Sequence, residues 1–505
     1  MSVSQAPAVP AYWGSLTPGP YSVGFQQRWV IDSTRRLPAG KAAGPAFRPI
    51  LMNVWYPSSV RAGSRMRYRD YFDGAERSAA SIPLLPNYAR ALVRFELGKV
   101  TEEIMRSPDR GSLPPDRRRL FDDFLDAPTA VRRNVLMAHG SFPIVIYFQG
   151  SQSTYDDNVA LCEYLASRGY VVLGSAYPAE DNGGFATNVI DRSRERDARH
   201  LLVEVRRFPN VDPARVTVIG HSAGAQAALL FSADPSAPID AVLSLDTTQD
   251  YWTLEDRRFA YFTDPVLERR REIKTPTVFF ANPRAMFELG DSLSACRRWY
   301  VTVESVEHND FITQGIIHRE LSSSTPAERA EATAARRSFD GMVTFIERWL
   351  AAQRSGSRVA VGGLGPLSVV EVPIGETGPT LQSTGKASPR EVRHLLSSRG
   401  EIEAVGAILR TRAADSTAPA GTVDVALALV EKLALGPEPV RARDSYERLV
   451  AADTAYRSVF RSMTLLGRYW DGVGDRSLAL TWWRMAATIN PTDSVAARRS
   501  KPDRK

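Results

Sequence analysis

Short apolar runs alternate with amphipathic stretches of helical length across the middle of this chain, and this alternation constrains the fold more than any other feature. The runs lie at 142–148, 170–174, 216–219, 239–245, 277–280 and 299–303, with helical patterns over 158–168, 191–208 and 223–231. Such runs are typical of strands that are buried on both faces of a sheet. Strands that alternate with helices favour right-handed crossovers. The sequence therefore predicts an α/β fold with a mainly parallel sheet.

The regions on either side have a different texture. Residues 21–36 and 46–56 roughly alternate apolar and polar side chains, which predicts antiparallel strands before the parallel part. Residues 70–135 are helical in pattern, rich in arginine and broken by Pro83, Pro86, Pro114 and Pro115, among other prolines. We expect them to form a helical insertion that caps a site.

Composition divides the rest of the chain. We expect residues 1–17 to be a flexible leader and 18–352 to form the main domain. Residues 353–386 are rich in glycine, serine, proline and threonine and predict a linker, interrupted by a strand-like piece at 367–372. Residues 387–497 have helical patterns without strands, which indicates a separate module.

Charge, cysteine content and hydropathy exclude several classes of protein. The formal net charge is +7, but no long lysine or arginine block of the nucleic-acid type occurs. Two cysteines form neither a disulfide framework nor a zinc motif, and no stretch approaches about 18 consecutive apolar residues. The first residues lack signal-peptide features, so we expect a cytoplasmic protein; a start upstream of Met1 would leave secretion or the periplasm open.

The strongest motif is Gly-His-Ser-Ala-Gly at 220–224, which directly follows the predicted strand 216–219 and opens a predicted helix. A G-x-S-x-G sequence between a strand and a helix forms a sharp nucleophile elbow. Bulky side chains two residues before or after the serine would clash, so Gly220 and Gly224 are required. The elbow lifts the hydroxyl of Ser222 above the edge of the sheet, where it could act as a nucleophile.

A serine hydroxyl needs a general base, and in elbows of this type the base follows the serine in the chain. Position argues against five of the six histidines, which are His139, His200, His221, His318 and His394. His308 remains, in a predicted loop just after the last predicted strand. We therefore expect His308 to be the base.

Two positions could supply the acid that orients the base. Asp246 ends the predicted strand 239–245, which is next after the nucleophile strand. The loop after 277–280 has no carboxylate before Glu288 and Asp291. Asp246 fits better, and together with Ser222 and His308 it would complete a catalytic triad.

Two backbone N–H groups should form the oxyanion hole. One belongs to Ala223, the residue after the nucleophile. The other lies in the turn 150–152 after the first buried strand, where Ser151 N–H is the best candidate.

Several of these segments resemble a known family. The segments 142–150, 161–172 and 220–224, followed by Ser244-Leu245-Asp246, resemble the platelet-activating-factor acetylhydrolase and dienelactone-hydrolase-related branch of the α/β-hydrolases, as do 18–24 and 53–57. The resemblance covers roughly residues 18–350. It implies hydrolysis of carboxylic esters, small or lipid-like, without metal or cofactor. In that branch the acid follows the strand after the nucleophile strand, as Asp246 does.

The C-terminal module carries a weaker resemblance. Its spacing is similar to one tetratricopeptide repeat at Leu466, Gly467, Ala479, Trp483, Ala486 and Pro491. A helical domain that only packs within the chain and one that binds a protein partner both fit this pattern.

Two rival functions therefore stay open beside ester hydrolysis. The same triad could cleave an amide or peptide bond. Alternatively, the hydrolase fold could be catalytically silent and act as a scaffold through its helical C-terminal module.

Overall fold

The computed structural model describes residues 9–37, 45–179, 185, 192–251, 254, 260–283, 285, 287–360, 362, 364–375, 471, 476–489 and 499. The chain divides into two compact units. The first comprises Met1–Asp250, Leu254–Asn282 and Leu289–Glu376. The second comprises Tyr251–Thr253, Pro283–Glu288 and Thr377–Lys505.

A sheet of ten strands runs through the first unit, counted over the described residues. The strands are β1 (Ser22–Arg36), β2 (Phe47–Ser58), β3 (Val131–Arg133), β4 (Phe142–Phe148), β5 (Val171–Gly174), β6 (Val211–His221), β7 (Ala241–Leu245), β8 (Thr277–Ala281), β9 (Arg298–Val303) and β10 (Leu367–Val372). Their spatial order is β10-β9-β8-β7-β6-β4-β5-β2-β1-β3. The six strands β4 to β9 are parallel to one another.

The outer strands make the sheet mixed. β2 pairs antiparallel with β5 and with β1, β10 pairs antiparallel with β9, and β3 pairs parallel with β1. The expected α/β class, with a mostly parallel sheet and flanking helices, is confirmed.

The helices alternate with the parallel strands or extend the sheet unit, and one lies in the second unit. They are α1 (Asp70–Ala79), α2 (Leu85–Met105), α3 (Pro115–Asp126), α4 (Val159–Ser167), α5 (Ser193–Val205), α6 (Ala223–Ser232), α7 (Ala260–Glu268), α8 (Glu288–Ser292), α9 (Thr313–Ser322), α10 (Pro326–Ser355) and α11 (Arg476–Ile489). Among the described residues, no helix combines the length and the apolar character that crossing a bilayer requires.

The order of the central strands creates a switch point in the sheet. β4 lies between β5 and β6, so the chain leaves β4 in one direction and returns to its other side. All seven residues of β4 are buried, as its unbroken apolar sequence predicts. In open α/β sheets, ligands bind outside the carboxyl ends of the strands at such a point. The ends of β4 and β6 are therefore the place to look for a site.

The long helix α10 shows how the sequence sets a boundary. The Thr325 side chain accepts a hydrogen bond from the Glu328 N–H at 3.2 Å, and the Glu328 carboxylate accepts one from the Thr325 N–H at 2.9 Å. Pro326 occupies the first turn, where it suits the backbone, and the helix ends at Gly356 with a φ of 66°. The residues at each end of α10 therefore determine where the helix begins and ends.

Residues 70–135 contain α1, α2, α3 and β3. The end of α2 lies against the segment that carries His308 and the helix that follows it. His318 Nδ1 donates to the Ile104 carbonyl at 2.8 Å, and the Asn309 amide donates to Glu103 at 2.7 Å. That this insertion caps a site stays a prediction.

The N-terminal residues differ from the expected flexible leader. Ala11–Trp13 form a 3-10 helix, and Tyr12, Trp13 and Leu16 are buried in the core. Aromatic side chains near the start of the chain bury more apolar surface than the surrounding alanine and proline suggested. The expectation over residues 1–17 therefore does not hold for 11–16.

The expected linker over 353–386 also begins later than predicted. α10 runs to Ser355, and the strand-like piece Leu367–Val372 is β10, paired with β9 from Leu367↔Val303 to Val372↔Arg298. This piece belongs to the sheet because its pairing supplies hydrogen bonds to an edge strand.

The second unit is described only in part. Ala479 and Trp483 lie four residues apart on α11 and are both buried, as expected for the inner face of a helix. The rest of the tetratricopeptide-like pattern, including Leu466, Gly467 and Pro491, lies outside the described residues, as does the Ala486 side chain.

A buried carboxyl group ties the N-terminal segment to the sheet unit. Glu163, on α4, accepts hydrogen bonds from the hydroxyls of Tyr12 at 2.8 Å and Tyr71 at 2.7 Å, and from the Trp13 indole N–H at 2.8 Å. Burial raises the pKa of Glu163 to about 7, although these hydrogen bonds oppose the rise. Glu163 therefore links the N-terminal 3-10 helix and α1 to α4, and its burial there raises its pKa.

We expect Glu163→Gln to weaken a pH dependence of stability. Because the pKa of Glu163 is raised from 4.5 to about 7, the folded chain holds this proton more tightly than the unfolded chain. Its contribution to the free energy of unfolding is therefore full below about pH 4.5 and declines as the pH rises to about 7. Denaturation midpoints, followed by tryptophan fluorescence, should fall less over this window in the variant than in the unchanged chain.

The exposed Glu331 offers a matched control. Glu331→Gln should keep the slope of the unchanged chain, and an equal slope in Glu163→Gln would contradict the expectation.

Candidate active site

The elbow at 220–224 has the predicted sharp form. β6 ends at His221 and α6 begins at Ala223, so Ser222 alone makes the turn, with φ 54° and ψ −122°. A positive φ in a residue other than glycine is strained and costs about 1–3 kcal/mol. The Ser222 N–H donates to the Leu245 carbonyl at 2.9 Å, which anchors the turn to the end of β7. The serine is thus held at the carboxyl edge of the sheet.

The two glycines of the motif are required by close approach of backbone atoms. A Cβ on Gly220 would lie 2.2 Å from the Gly224 carbonyl oxygen. A Cβ on Gly224 would lie 2.2 Å from the Phe148 carbonyl oxygen at the end of β4. The sequence prediction located both glycines, but the partner strand β4 became visible only in the structure.

The structure brings the three predicted side chains into one hydrogen-bonded row. His308 Nε2 lies 3.0 Å from Ser222 Oγ, and His308 Nδ1 lies 2.7 Å from Asp246 Oδ2. The Asp246 side chain is 1% exposed, whereas that of His308 is 44% exposed. The buried Asp246 carboxyl group therefore orients the His308 imidazole, whose other nitrogen reaches the hydroxyl of the half-buried Ser222.

Each of these side chains is placed by a local feature of the chain. Asp246 follows β7 directly, and its N–H donates to the Phe280 carbonyl at 2.7 Å. His308 begins a short 3-10 helix, His308–Phe311, which Glu307 and Asp310 close in a reciprocal capping box. Arg319 on α9 holds Asp310 through its Nε at 3.0 Å. The base is therefore carried by a fixed turn.

The alternative acid has a different partner. The Asp291 carboxylate accepts the Tyr300 hydroxyl at 2.7 Å, next to β9. The structure brings Asp246, not Asp291, to the ring of His308.

A second buried carboxyl group, Asp250, lies close to Asp246. Its Oδ2 accepts the Thr247 N–H at 3.3 Å. Burial and then the charge of Asp246 raise the pKa of Asp250 well above its ordinary value. This favours the neutral form of Asp250.

The turn after β4 lies beside the serine, as the oxyanion prediction requires. A Cβ on Gly150 would lie 3.5 Å from Ser222 Cβ. Ser151 follows in the same turn and is exposed, while Ala223 is the first residue of α6 and is buried. The two predicted donors thus belong to segments that meet at Ser222.

Two charged residues that the sequence reasoning missed grip this turn. Arg194, on α5, donates to the carbonyls of Gln149 at 3.1 Å and Gly150 at 3.2 Å. Asp157 accepts the hydroxyls of Tyr147 and Ser153, each at 2.7 Å. Acidic residues before a helix ordinarily predict capping, so the sequence did not indicate that Asp157 would reach back to the turn.

Asp157 is fully buried, and this changes its acidity. Burial raises the pKa of its carboxyl to about 7, while hydrogen bonds, one of them from the Gly150 backbone, oppose the rise. The neighbouring Asp156, whose pKa burial raises to about 6, adds to the shift. Two buried carboxyl groups with raised pKa values, Asp156 and Asp157, therefore lie next to the turn.

A cavity of about 510 Å³ is lined in part by His308. Its lining includes Arg106, Asn309 and His318, while Ser222 does not line it. His318 is half-buried because α2 packs against it, and burial lowers its pKa. Within the described residues, no group of histidine, cysteine or acidic side chains could hold a metal ion.

We expect Gly224→Ala to destabilise the chain strongly. The added methyl would lie 2.2 Å from the Phe148 carbonyl oxygen, so strand and helix would have to separate. Overpacking of this kind costs about 3 kcal/mol. Chemical denaturation would measure it.

Gly98, in α2, is the matched control because no atom lies within 4 Å of an added Cβ. Gly98→Ala should stabilise the chain by up to about 1 kcal/mol, as alanine favours a helix interior. Equal effects at the two glycines would contradict the close approach.

The comparisons with known proteins add little to this geometry. No family model matches the chain, and the search of curated proteins gave no match. One similar solved structure is a ferulic acid esterase from Streptomyces cinnamoneus, with 17% sequence identity, a TM-score of 0.45, and coverage of 70% of this chain and 98% of that chain. Another is the complex of DcsB with its substrate analogue, with 13% identity, a TM-score of 0.28, and coverage of 40% and 92%. Both scores are too low to carry an argument about this chain.

Proposed function

We propose that this chain is a serine hydrolase of the α/β-hydrolase fold that cleaves carboxylic esters through an acyl-enzyme. The observation that carries the proposal is the row formed by Ser222, His308 and Asp246, with contacts of 3.0 and 2.7 Å. A nucleophile, a base and an orienting acid in hydrogen-bonding reach are the parts that acyl transfer needs.

The position of this row in the chain supports the fold assignment. The nucleophile stands on a strand-to-helix elbow, and the acid and the base follow it in that order. The elbow also lies at the switch point of a mostly parallel sheet, beside the end of β4. The acetylhydrolase branch named from the sequence remains a prediction.

The chemistry runs in two halves. His308 Nε2 takes the proton of Ser222 while Oγ bonds to the ester carbonyl carbon, and the carbonyl electron pair moves onto oxygen. As the tetrahedral intermediate collapses, the ester C–O bond breaks and the alcohol leaves with the proton from His308. Water, deprotonated by His308, then attacks the acyl carbon. The bond between this carbon and Ser222 Oγ breaks, His308 returns the proton to Oγ, and the acid leaves. Asp246 holds the His308 Nδ1–H and stabilises the imidazolium.

The developing oxyanion would be held by the N–H groups of Ala223 and Ser151. Ala223 opens α6, where unsatisfied N–H groups and the helix dipole favour negative charge. Arg194 donates to the carbonyls of Gln149 and Gly150, and Asp157 accepts the Ser153 hydroxyl, which supports a preorganised donor in the Ser151 turn. Donors fixed before the reaction lower its barrier because they need not reorganise.

Replacement of the nucleophile tests the proposal directly. Ser222→Ala should lower kcat/KM for short p-nitrophenyl esters by about 10⁴-fold or more, because no group remains to form the acyl-enzyme. It should also abolish covalent labelling by a fluorophosphonate probe.

The exposed Ser236 provides the control. Ser236→Ala should keep the activity and the labelling of the unchanged chain. Full activity in Ser222→Ala would remove the proposal, and an unlabelled, inactive unchanged chain would favour a silent scaffold.

A second pair of variants tests the acid. Asp246→Asn should lower kcat by about 10³–10⁴-fold, because the amide favours the wrong tautomer of His308. Asp291→Asn should leave kcat nearly unchanged, since Asp291 binds Tyr300 instead. The reverse order of effects in steady-state kinetics would move the acid to Asp291.

A further inference from the structure

The residue before the nucleophile has a side chain with no assigned role. His221 ends β6 and is 3% exposed, so it faces the interior rather than substrate. Its Nε2 lies 3.1 Å from the backbone carbonyl oxygen of His308. Its ring lies 4.8 Å from the ring of His308, centroid to centroid, with the planes tilted by 33°.

This contact fixes the tautomer of His221. A carbonyl oxygen can only accept a hydrogen bond, so Nε2 must carry the proton. Nδ1 is then an acceptor, and this atom is buried without a hydrogen-bond partner. A Cβ on Gly150 would lie 3.1 Å from it, so the ring fills the space between the turn after β4 and the base.

The surroundings keep this imidazole neutral. Burial lowers the pKa of His221 well below its ordinary value, and the adjacent His308 lowers it further. A proton on Nδ1 would be a buried donor without an acceptor, which is costly. The neutral ring can therefore stand next to His308 when that ring becomes an imidazolium.

We infer that His221 is a positioning residue for the proposed base, and that it sets the place of His308 by donating Nε2–H to its backbone carbonyl. This inference rests on the proposed function. The backbone of His221 is part of the elbow, and its Nε2–H donates to the His308 carbonyl. Its ring lies beside the Gly150 turn. It thereby holds the His308 ring within reach of Ser222 Oγ from the backbone side, while Asp246 holds it from Nδ1.

Three substitutions separate the hydrogen bond from the bulk of the ring. His221→Phe keeps an aromatic ring but removes the donor. His221→Asn carries an amide that is too short to reach the carbonyl. His221→Gln places an amide N–H near the position of Nε2.

We expect His221→Phe and His221→Asn to lower kcat for p-nitrophenyl acetate by about 10-fold, the worth of one hydrogen bond, with KM nearly unchanged. His221→Gln should recover most of the lost kcat. The rate of fluorophosphonate labelling should follow kcat across the three variants. The exposed His139, changed to Gln, should match the unchanged chain in every measurement.

The outcomes distinguish this inference from the proposed function. Wild-type kcat in His221→Phe, or equal losses in His221→Gln and His221→Phe, would overturn the positioning role while leaving Ser222 as nucleophile. Full activity in Ser222→Ala would instead remove the proposed function itself. Denaturation midpoints of the variants would show whether a loss of kcat reflects unfolding, and a loss that tracks the midpoint rather than the donor would also overturn the role.

Discussion

The close approach of α6 to the end of β4 sets where every group of the candidate active site can lie. The Gly224 backbone sits so near the Phe148 carbonyl that an added methyl would come within 2.2 Å of that oxygen. This contact forces the chain to turn at Ser222 alone and brings the Gly150 turn beside the serine. The same packing buries His221 between that turn and His308. A wider separation of strand and helix would disperse the nucleophile, the turn and the base together.

Around this contact, polar groups fix the loops that the sheet leaves free. Arg194 and Asp157 hold the turn after β4, and the capping box of Glu307 and Asp310 holds the segment of His308. Buried hydrogen bonds of this kind rigidify a site because leaving any partner unpaired is expensive. The loops around Ser222 are therefore held in place by hydrogen bonds, while the His308 side chain remains partly exposed to solvent.

The buried acids show what this bracing costs. Burial raises the pKa values of Asp156 to about 6 and of Asp157 and Glu163 to about 7, and it raises that of Glu96 well above its ordinary value. Each group favours the protonated form in the folded chain, so together they lower stability as the pH rises toward neutrality. These buried carboxyl groups lower the stability of the first unit at neutral pH. Their hydrogen bonds at the same time fix the turn after β4 and the N-terminal segment.

The sequence by itself determined most strands, most helices and the elbow, because these depend on local patterns: apolar runs, helical periodicity, caps, and glycine at 220 and 224. It also indicated Ser222, His308 and Asp246 as candidates, because each follows a predicted strand and the three stand in the expected order along the chain. It did not indicate β3, which lies within the predicted helical insertion. It misjudged residues 11–16, because their burial depends on Glu163, which is distant in the chain. Only the tertiary structure could reveal Arg194, Asp157 and the contact of His221 with the His308 carbonyl. Those interactions join residues far apart in the chain, and no local pattern records which side chains will meet when the sheet closes around them.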